Sequence, residues 1–112
     1  MSYTHYWKLF RDLTPQEWEK ITPKVTEIIQ YGLDHDLVVK GRVGEEAIDI
    51  EADEGGFHFT RTAGMYGSCP TDRQPYDLVV TRVLANIRNL IPGVLSLSSD
   101  GGGDAFQLDL PA

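Results

Sequence analysis

Residues 14–32 have the sequence TPQEWEKITPKVTEIIQYG, and this stretch decides the first half of the fold. Thr14 at the N-cap, Pro15 at the first helical position and Glu17 at the third form a capping box, which is typical of a helix start. Gly32 is a suitable C-terminal cap, and Pro23 predicts a kink or a restart of the helix. Between these signals apolar side chains recur at helical spacing, namely Trp18, Ile21, Val25, Ile28 and Ile29.

A second helix is predicted to begin at Pro75 and to end before Pro92-Gly93. Its apolar positions form one broad stripe, namely Val79, Val80, Val83, Leu84, Ile87, Leu90 and Ile91. Runs that alternate or are rich in aromatic and β-branched residues predict strands on either side of the helices. These runs are residues 3–10, 37–39, 47–51, 57–60, 94–98 and 105–110.

The order of these elements, β-α-β-β-β-α-β-β, predicts the fold class. Helices placed among hairpins favour an α+β domain, a two-layer sandwich of mainly antiparallel sheet with both helices on one face. In the first strand, side-chain alternation places Tyr3, His5, Trp7 and Leu9 on the same face. A chain of 112 residues fits one domain, so we expect residues 1–112 to fold as a single unit.

The charge balance excludes one class of partner and suggests another. The chain has 10 Lys and Arg against 17 Asp and Glu, a net charge of −7. Proteins that bind duplex nucleic acid neutralise phosphates with Lys and Arg, so we expect no direct nucleic-acid binding. Six acidic residues lie between Glu45 and Glu54, and they are either a solvated strand face or the surface of an acidic mimic that blocks a nucleic-acid-binding protein.

Cofactor, metal and location follow from what the residue types allow. Cys69 is the single cysteine, so no internal disulfide forms, which fits a reducing compartment. His5, His35 and His58 form no pair with metal-ligand spacing, although His5 and His58 both lie on predicted strands. We therefore expect no metal and no cofactor. No run is apolar enough to span a bilayer and no leader pattern is present, so we expect a cytoplasmic protein that does not enter a membrane.

Three short motifs resemble those of a family of small bacterial and phage proteins to which no activity is assigned. Members begin with a Tyr-Trp strand, carry Cys-x-Thr running into Pro-Tyr-Asp at the start of a late helix, and continue with Ser-Ser-Asp-Gly. The chain departs from that pattern at Pro70, where a basic residue is common, and at Ser68, where an aromatic is common. The matching residues are Tyr6, Trp7, Cys69, Thr71, Pro75, Tyr76, Asp77, Ser98, Ser99, Asp100 and Gly101.

The loop before the second helix is the predicted ligand site, because a helix N-terminus and nearby hydrogen-bond donors attract anions. We expect a concave pocket that touches Arg73 and Tyr76, with Arg61 and Ser99 at its rim. Met65, Tyr66, Tyr6 and Trp7 would supply an apolar wall. The predicted ligand-binding residues are Arg61, Thr71, Arg73, Tyr76, Asp77, Ser99 and Asp100. The alternative interpretation is that Thr71 and Asp77 only cap the helix and Tyr76 only packs.

No recognisable catalytic set is present in the sequence, so a non-enzymatic binding domain is the leading hypothesis. Its ligand would be an anionic small molecule or a host protein, and its origin would be phage-related. Two alternatives stay open. One is the acidic mimic already described, and the other is a small hydrolase or transferase that uses Cys69, next to a helix start, or Asp100.

Overall fold

The computed structural model of the chain describes residues 3–62 and 66–111, which form six strands, two α-helices and one 3₁₀ turn. The strands and helices follow one another along the chain in an order close to the one that the sequence predicts. In chain order the elements are β1 (Thr4–Leu9), α1 (Pro15–Asp34), β2 (Lys40–Val43), β3 (Ala47–Ala52), β4 (Gly55–Thr60), β5 (Gly67–Pro70), α2 (Asp77–Leu90), β6 (Leu95–Ser99) and the 3₁₀ turn (Gly103–Ala105).

The strands form two antiparallel sheets of three strands each. The terminal sheet has the order β5-β1-β6, so that β1 lies between two strands that come much later in the chain. The hairpin sheet has the order β2-β3-β4 and is built from neighbouring hairpins. In its second hairpin Ile48 pairs with Phe59 and Ile50 with Phe57, and all four side chains are buried. The predicted inward face of this hairpin is confirmed.

One hydrophobic core joins both sheets to both helices, which confirms the α+β class. Trp7 and Leu9 of the terminal sheet belong to the same buried cluster as the four hairpin residues and the apolar stripes of α1 and α2. On β1 the alternation holds, since His5 is buried while Tyr6 is exposed on the opposite face. Within the described residues, no helix has the length and apolar character needed to cross a membrane.

The start of α1 is as predicted, but its interior and end are not. Thr14 and Glu17 exchange both bonds of the capping box. The helix then runs through Pro23 to Asp34 without a restart. Gly32 does not cap the helix but lies inside it, where a Cβ would approach Val79 of α2 to 2.8 Å. Gly32 is therefore needed for the close packing of the two helices.

Two strands differ from the sequence prediction in the middle of the chain. The predicted strand at residues 37–39 begins later, at Lys40, because the amides of Leu37 and Val38 bond to the carbonyl of Gly32. The predicted irregular loop at residues 62–74 contains β5, which pairs with β1. Gly67 of β5 has the indole of Trp7 where a side chain would lie, so this pairing requires glycine.

The predicted strand at residues 105–110 is absent, and the chain crosses α2 instead. Asn86 Nδ2 of α2 donates to the carbonyl of Leu108 at 3.0 Å, and Arg82 Nε donates to that of Asp109 at 3.1 Å. These backbone groups are satisfied by helix side chains and do not need a neighbouring strand. Phe106 is buried, whereas Leu108 is 40% exposed, so the segment does not present one apolar face to a sheet.

Trp18 tests the docking of α1 against the hairpin sheet. Its ring stacks on Phe59 at 6.4 Å, and its Nε1 donates to the carbonyl of Gly44 at 2.8 Å. Trp18→Ala removes a buried indole, so we expect the free energy of unfolding to fall by about 3–5 kcal/mol in urea denaturation. Glu19→Ala, on the exposed side of the same turn, is the control and should stay within about 0.5 kcal/mol. A loss below about 1 kcal/mol for Trp18→Ala would contradict this docking.

Candidate functional site

Three of the predicted site residues meet around His5, which the sequence did not place in the site. His5 Nδ1 lies 2.8 Å from Ser99 Oγ, and His5 Nε2 lies 2.5 Å from Asp77 Oδ1. Thr71 Oγ1 donates to the same Asp77 oxygen. The imidazole is 0% exposed. These residues form the His5 cluster, defined as His5, Thr71, Asp77 and Ser99.

Strand pairing explains why the cluster forms. β1 presents His5 to the core, and β6 places Ser99 opposite it in the register. On the other side of β1, Thr4 pairs with Pro70, so β5 brings Thr71 beside the start of α2. The rings of Tyr3 and Phe106 lie 5.1 and 5.5 Å from the imidazole. A buried polar side chain on a strand's core face needs partners, and that was the signal in the sequence.

The charge in the cluster is carried by Asp77. Burial raises the pKa of this carboxyl, but hydrogen bonds from His5 and Thr71 and the charges of His5 and Arg73 outweigh burial, so the pKa lies below its usual 3.8. Asp77 is therefore ionised at neutral pH and only accepts hydrogen bonds. It follows that His5 carries its proton on Nε2 toward Asp77.

Asp100 and Asp72 tie the ends of the cluster to the start of β1. Asp100 Oδ2 accepts from the amide of Thr4 at 3.0 Å, and Asp72 Oδ1 accepts from the amide of Tyr3 at 3.0 Å. Gly101 lies so close to the Tyr3 hydroxyl that a side chain there would collide with it. The carboxylates of Asp72 and Asp100 thus serve as backbone acceptors on either side of the imidazole.

Within residues 3–62 and 66–111, Arg73 and Tyr76 have different surroundings, and the cavity that adjoins Tyr76 does not include Arg73. Arg73 is exposed at a turn where Asp72 and Arg73 have φ of 52° and 60°, and its guanidinium lies 4.1 Å from the ring centre of Tyr3. Tyr76 is buried, and its hydroxyl donates to the carbonyl of Pro70 at 3.2 Å. A cavity of about 280 Å³ does adjoin Tyr76, but its charged lining is acidic, namely Asp36, Asp53 and Glu54.

Arg61 and the described residues of the predicted apolar wall do not gather around Tyr76. Arg61 follows the far end of β4, about 20 Å at strand spacing from Gly55, which contacts Tyr76. Arg61 instead bonds the carbonyl of Leu13 and the carboxylate of Glu46. Of the predicted apolar wall, Trp7 is buried in the core, Tyr6 and Tyr66 are exposed, and Met65 lies outside the described residues.

The start of α2 follows neither interpretation of the sequence completely. The helix begins at Asp77, two residues after Pro75, and Tyr76 at the N-cap makes no side-chain capping bond. Thr71 contacts the Asp77 side chain rather than a backbone amide. The packing of Tyr76 is as the capping interpretation expects, whereas the capping roles of Thr71 and Asp77 are not.

The single cysteine is poorly suited to nucleophilic chemistry. Cys69 is buried, and its Sγ lies 3.2 Å from the carbonyl of Gly56. Burial raises the pKa of this thiol to about 11, with a further rise from the charge of Asp77, against a hydrogen bond with Tyr76 that lowers it. The reactive thiolate is therefore scarce at neutral pH.

The histidines do not form a metal site with each other. His58 is exposed on β4 and bonds Asp49 at 2.5 Å, while His35 bonds the carbonyl of Tyr31 at the end of α1. Across residues 3–62 and 66–111, no three His, Cys, Asp or Glu side chains are grouped as metal ligands would be.

A groove of about 860 Å³, here named the sheet groove, lies along the hairpin sheet and reaches Ser68. Lys40 and Arg42 of β2 line it beside the apolar Leu33 and Val39, and Val39 is 53% exposed. Ligand pockets of this kind combine apolar walls with a few polar groups and have volumes of about 300–1,000 Å³. The groove depends on how three strands and the end of α1 meet, so no local sequence pattern indicates it.

The sheet groove is lined by two cations, Lys40 and Arg42, and by two carboxylates, Asp49 and Glu51. In the part of the chain that the structure describes, Lys40 and Arg42 make no side-chain ion pair or hydrogen bond. Asp49 also lines the groove opposite Arg42 in the strand register, and its carboxylate bonds His58. Glu51 lies opposite Lys40 in the strand register without a bond to it.

Comparison with known proteins gives no assignment, since no family model, curated protein or solved structure matches the chain. The resemblance to small bacterial and phage proteins stays a prediction. Three residues of its motifs, Thr71, Asp77 and Ser99, are those that converge on His5.

Asp77→Asn tests the charge of the His5 cluster. A depressed pKa means that ionised Asp77 stabilises the fold above pH 3.8 and that this contribution is lost as the pH falls through the lower folded-state pKa. We expect a loss of about 1–3 kcal/mol at pH 7 in urea denaturation, and a smaller loss at an acidic pH below 3.8. Exposed Asp104→Asn is the control. An equal loss at both pH values would show that the charge contributes nothing.

Proposed function

We propose that this protein is a binding domain, and that its ligand is a small molecule with an apolar body and an anionic group. The sheet groove is the proposed site. The observation that carries the proposal is that Lys40 and Arg42 have no ion pair with any described residue and lie beside exposed apolar surface in a groove of about 860 Å³.

Unused hydrogen-bonding capacity is the reason to prefer this groove over the loop before α2. Five of the seven residues predicted to bind a ligand have side chains that already bond other groups of the chain: Arg61, Thr71, Asp77, Ser99 and Asp100. Tyr76 is buried and bonded as well, and Arg73 lies on Tyr3. An anion at that loop would have to displace these contacts, whereas Lys40 and Arg42 have donors to offer.

The apolar part of the ligand follows from Leu33 and Val39. Val39 is a large apolar side chain with more than half of its surface in water, and a ligand that covers it gains hydrophobic free energy. A purely inorganic anion would not use this surface. An aromatic carboxylate or aryl phosphate matches both features of the groove.

The acidic-mimic hypothesis has weaker support from the arrangement of the acidic residues. Glu45 and Glu46 precede β3, whereas Asp53 and Glu54 follow it, so the two pairs lie roughly 20 Å apart at strand spacing. Glu46 also forms an ion pair with Arg61 at 3.1 Å. Asp49 and Glu51, exposed between the two pairs, lie opposite Arg42 and Lys40 in the strand register, so this surface is not uniformly anionic like a nucleic-acid backbone.

The groove is tested by thermal shift with phenyl phosphate, 2-naphthoate and inorganic phosphate as probes. We expect the two aromatic anions to raise Tm and phosphate alone to have little effect, because binding only the folded state stabilises it by mass action. Lys40→Ala with Arg42→Ala should weaken the aromatic anions by about tenfold for each cation, or about 1.4 kcal/mol each. Glu51→Gln should strengthen them, because it removes the carboxylate opposite Lys40.

Arg73→Ala is the matched control for the groove variants, because it removes an exposed cation outside the residues that line the groove. Unchanged binding in Arg73→Ala is expected. If Arg73→Ala abolishes the shift while the double variant keeps it, the site lies at the helix start after all. If none of the aromatic anions shifts Tm at millimolar concentration, the proposed ligand class is wrong.

The acidic residues are tested separately by neutralising Glu45, Glu46 and Glu54 to glutamine. Because these side chains are exposed, we expect stability to change by less than about 0.5 kcal/mol for each site and the aromatic-anion shift to persist. A pulldown from bacterial lysate provides the second measurement. Recovery of a basic protein by the wild type but not by the neutralised variant would favour the mimic instead.

A further inference from the structure

The hydrogen bonds of the His5 cluster have a defined proton order. In the neutral imidazole the single proton lies on Nε2, toward ionised Asp77, and Nδ1 accepts from Ser99 Oγ at 2.8 Å. The amide of Gly101 donates to the same Oγ at 3.0 Å, which leaves the hydroxyl proton for the imidazole. A hydroxyl, a neutral imidazole and a carboxylate thus follow one another at hydrogen-bond distance.

We propose that Ser99 is a nucleophile activated by His5 and that it accepts acyl or phosphonyl groups from activated esters. This activity is independent of the binding function proposed for the sheet groove. Nucleophilic serines share this logic: a base within hydrogen-bond reach of the hydroxyl, held in one orientation by a third group. Here Asp77 holds His5, and Thr71 in turn holds Asp77.

The surroundings of the two groups suit this chemistry. His5 is completely buried between the rings of Tyr3 and Phe106, so its position is fixed and water is excluded from it. Ser99, in contrast, is partly exposed at the end of β6, where the chain turns away through Gly101 and Gly102. Of the two groups, Ser99 is therefore the one nearer to solvent, while the base remains shielded.

The reaction begins with attack of Ser99 Oγ on the carbonyl carbon or phosphorus of the ester. The hydroxyl proton passes to His5 Nδ1, while the Nε2 proton stays on its bond to Asp77. The bond to the leaving group then breaks, and the leaving group takes the proton from Nδ1. In the acyl case water repeats the sequence, with His5 again as the base, and releases the carboxylic acid and free Ser99.

The backbone near Ser99 limits the substrate class. An oxyanion needs free donors, but the amides of Asp100, Gly101 and Gly102 are bonded to Thr4 O, Ser99 Oγ and Ser99 O. The substrate must therefore carry a leaving group good enough to react without that stabilisation. Aryl esters and fluorophosphonates meet this condition, and unactivated amides do not.

The test uses a fluorophosphonate probe on the whole protein, followed by intact mass and peptide mapping. Attack displaces fluoride, which leaves with the serine proton as HF. We expect one phosphonyl group per chain, located on Ser99. It should be absent in Ser99→Ala and unchanged in Ser98→Ala, because Ser98 is the adjacent hydroxyl on the opposite face of β6.

The role of the base is measured by the labelling rate. His5→Gln should slow labelling by about 100-fold or more, the usual contribution of general-base catalysis. Loss of a buried imidazole also affects folding. The labelling rate of wild type unfolded in about 6 M guanidinium chloride is therefore the second reference. Labelling of Ser99 in the native protein should be faster than labelling of any serine in the unfolded protein.

A purely structural cluster gives a different result. Ser99→Ala would then lower Tm, but native wild type would react no faster than the unfolded chain, or Ser98 would react as fast as Ser99. Either outcome overturns the proposal. p-Nitrophenyl acetate supplies the matching turnover measurement, with release of p-nitrophenol expected in wild type and Ser98→Ala and lost in Ser99→Ala.

Discussion

The buried imidazole of His5 is the constraint on which the arrangement of the terminal sheet depends. Its two nitrogens bond Asp77 and Ser99, which are 72 and 94 residues away in the chain. A buried polar group without a partner costs about 1–3 kcal/mol, so β1 cannot dock stably unless α2 and β6 are already beside it. The imidazole thus couples the first strand of the chain to the last strand.

Local signals determined the elements that the sequence predicted well. The capping box of Thr14 and Glu17 and the alternation of the second hairpin each require only neighbours in the sequence, so propensity and spacing suffice to find them. β5 and the crossing of residues 106–110 over α2 depend on distant partners, Trp7 of β1 and Asn86 of α2. No periodicity within those segments carries that information.

In the predicted site, too, the residue types were predictable from the sequence, whereas their bonding partners depend on distant parts of the chain. Thr71, Asp77 and Ser99 were selected as groups able to bond a ligand, and they do lie together, but each bonds another residue of the chain. Arg61 and Arg73 lie elsewhere because strand pairing and the turn at Asp72 direct them to Glu46 and Tyr3. A sequence lists donors and acceptors, but only the packed structure shows which of them are already used.

The sheet groove and the His5 cluster differ in whether their polar side chains are already bonded within the chain. The sheet groove has unused cations in water, so it can gain only from an external partner, and its affinity must fall with rising salt. In the His5 cluster each side chain already bonds another described residue of the chain, so the chemistry proposed there is attack by Ser99 with transfer of its proton to His5. Lys40 and Arg42 lie on β2 of the hairpin sheet, whereas Ser99 ends β6 of the terminal sheet. A change at one site therefore leaves the hydrogen bonds of the other in place, and each hypothesis stands or fails alone.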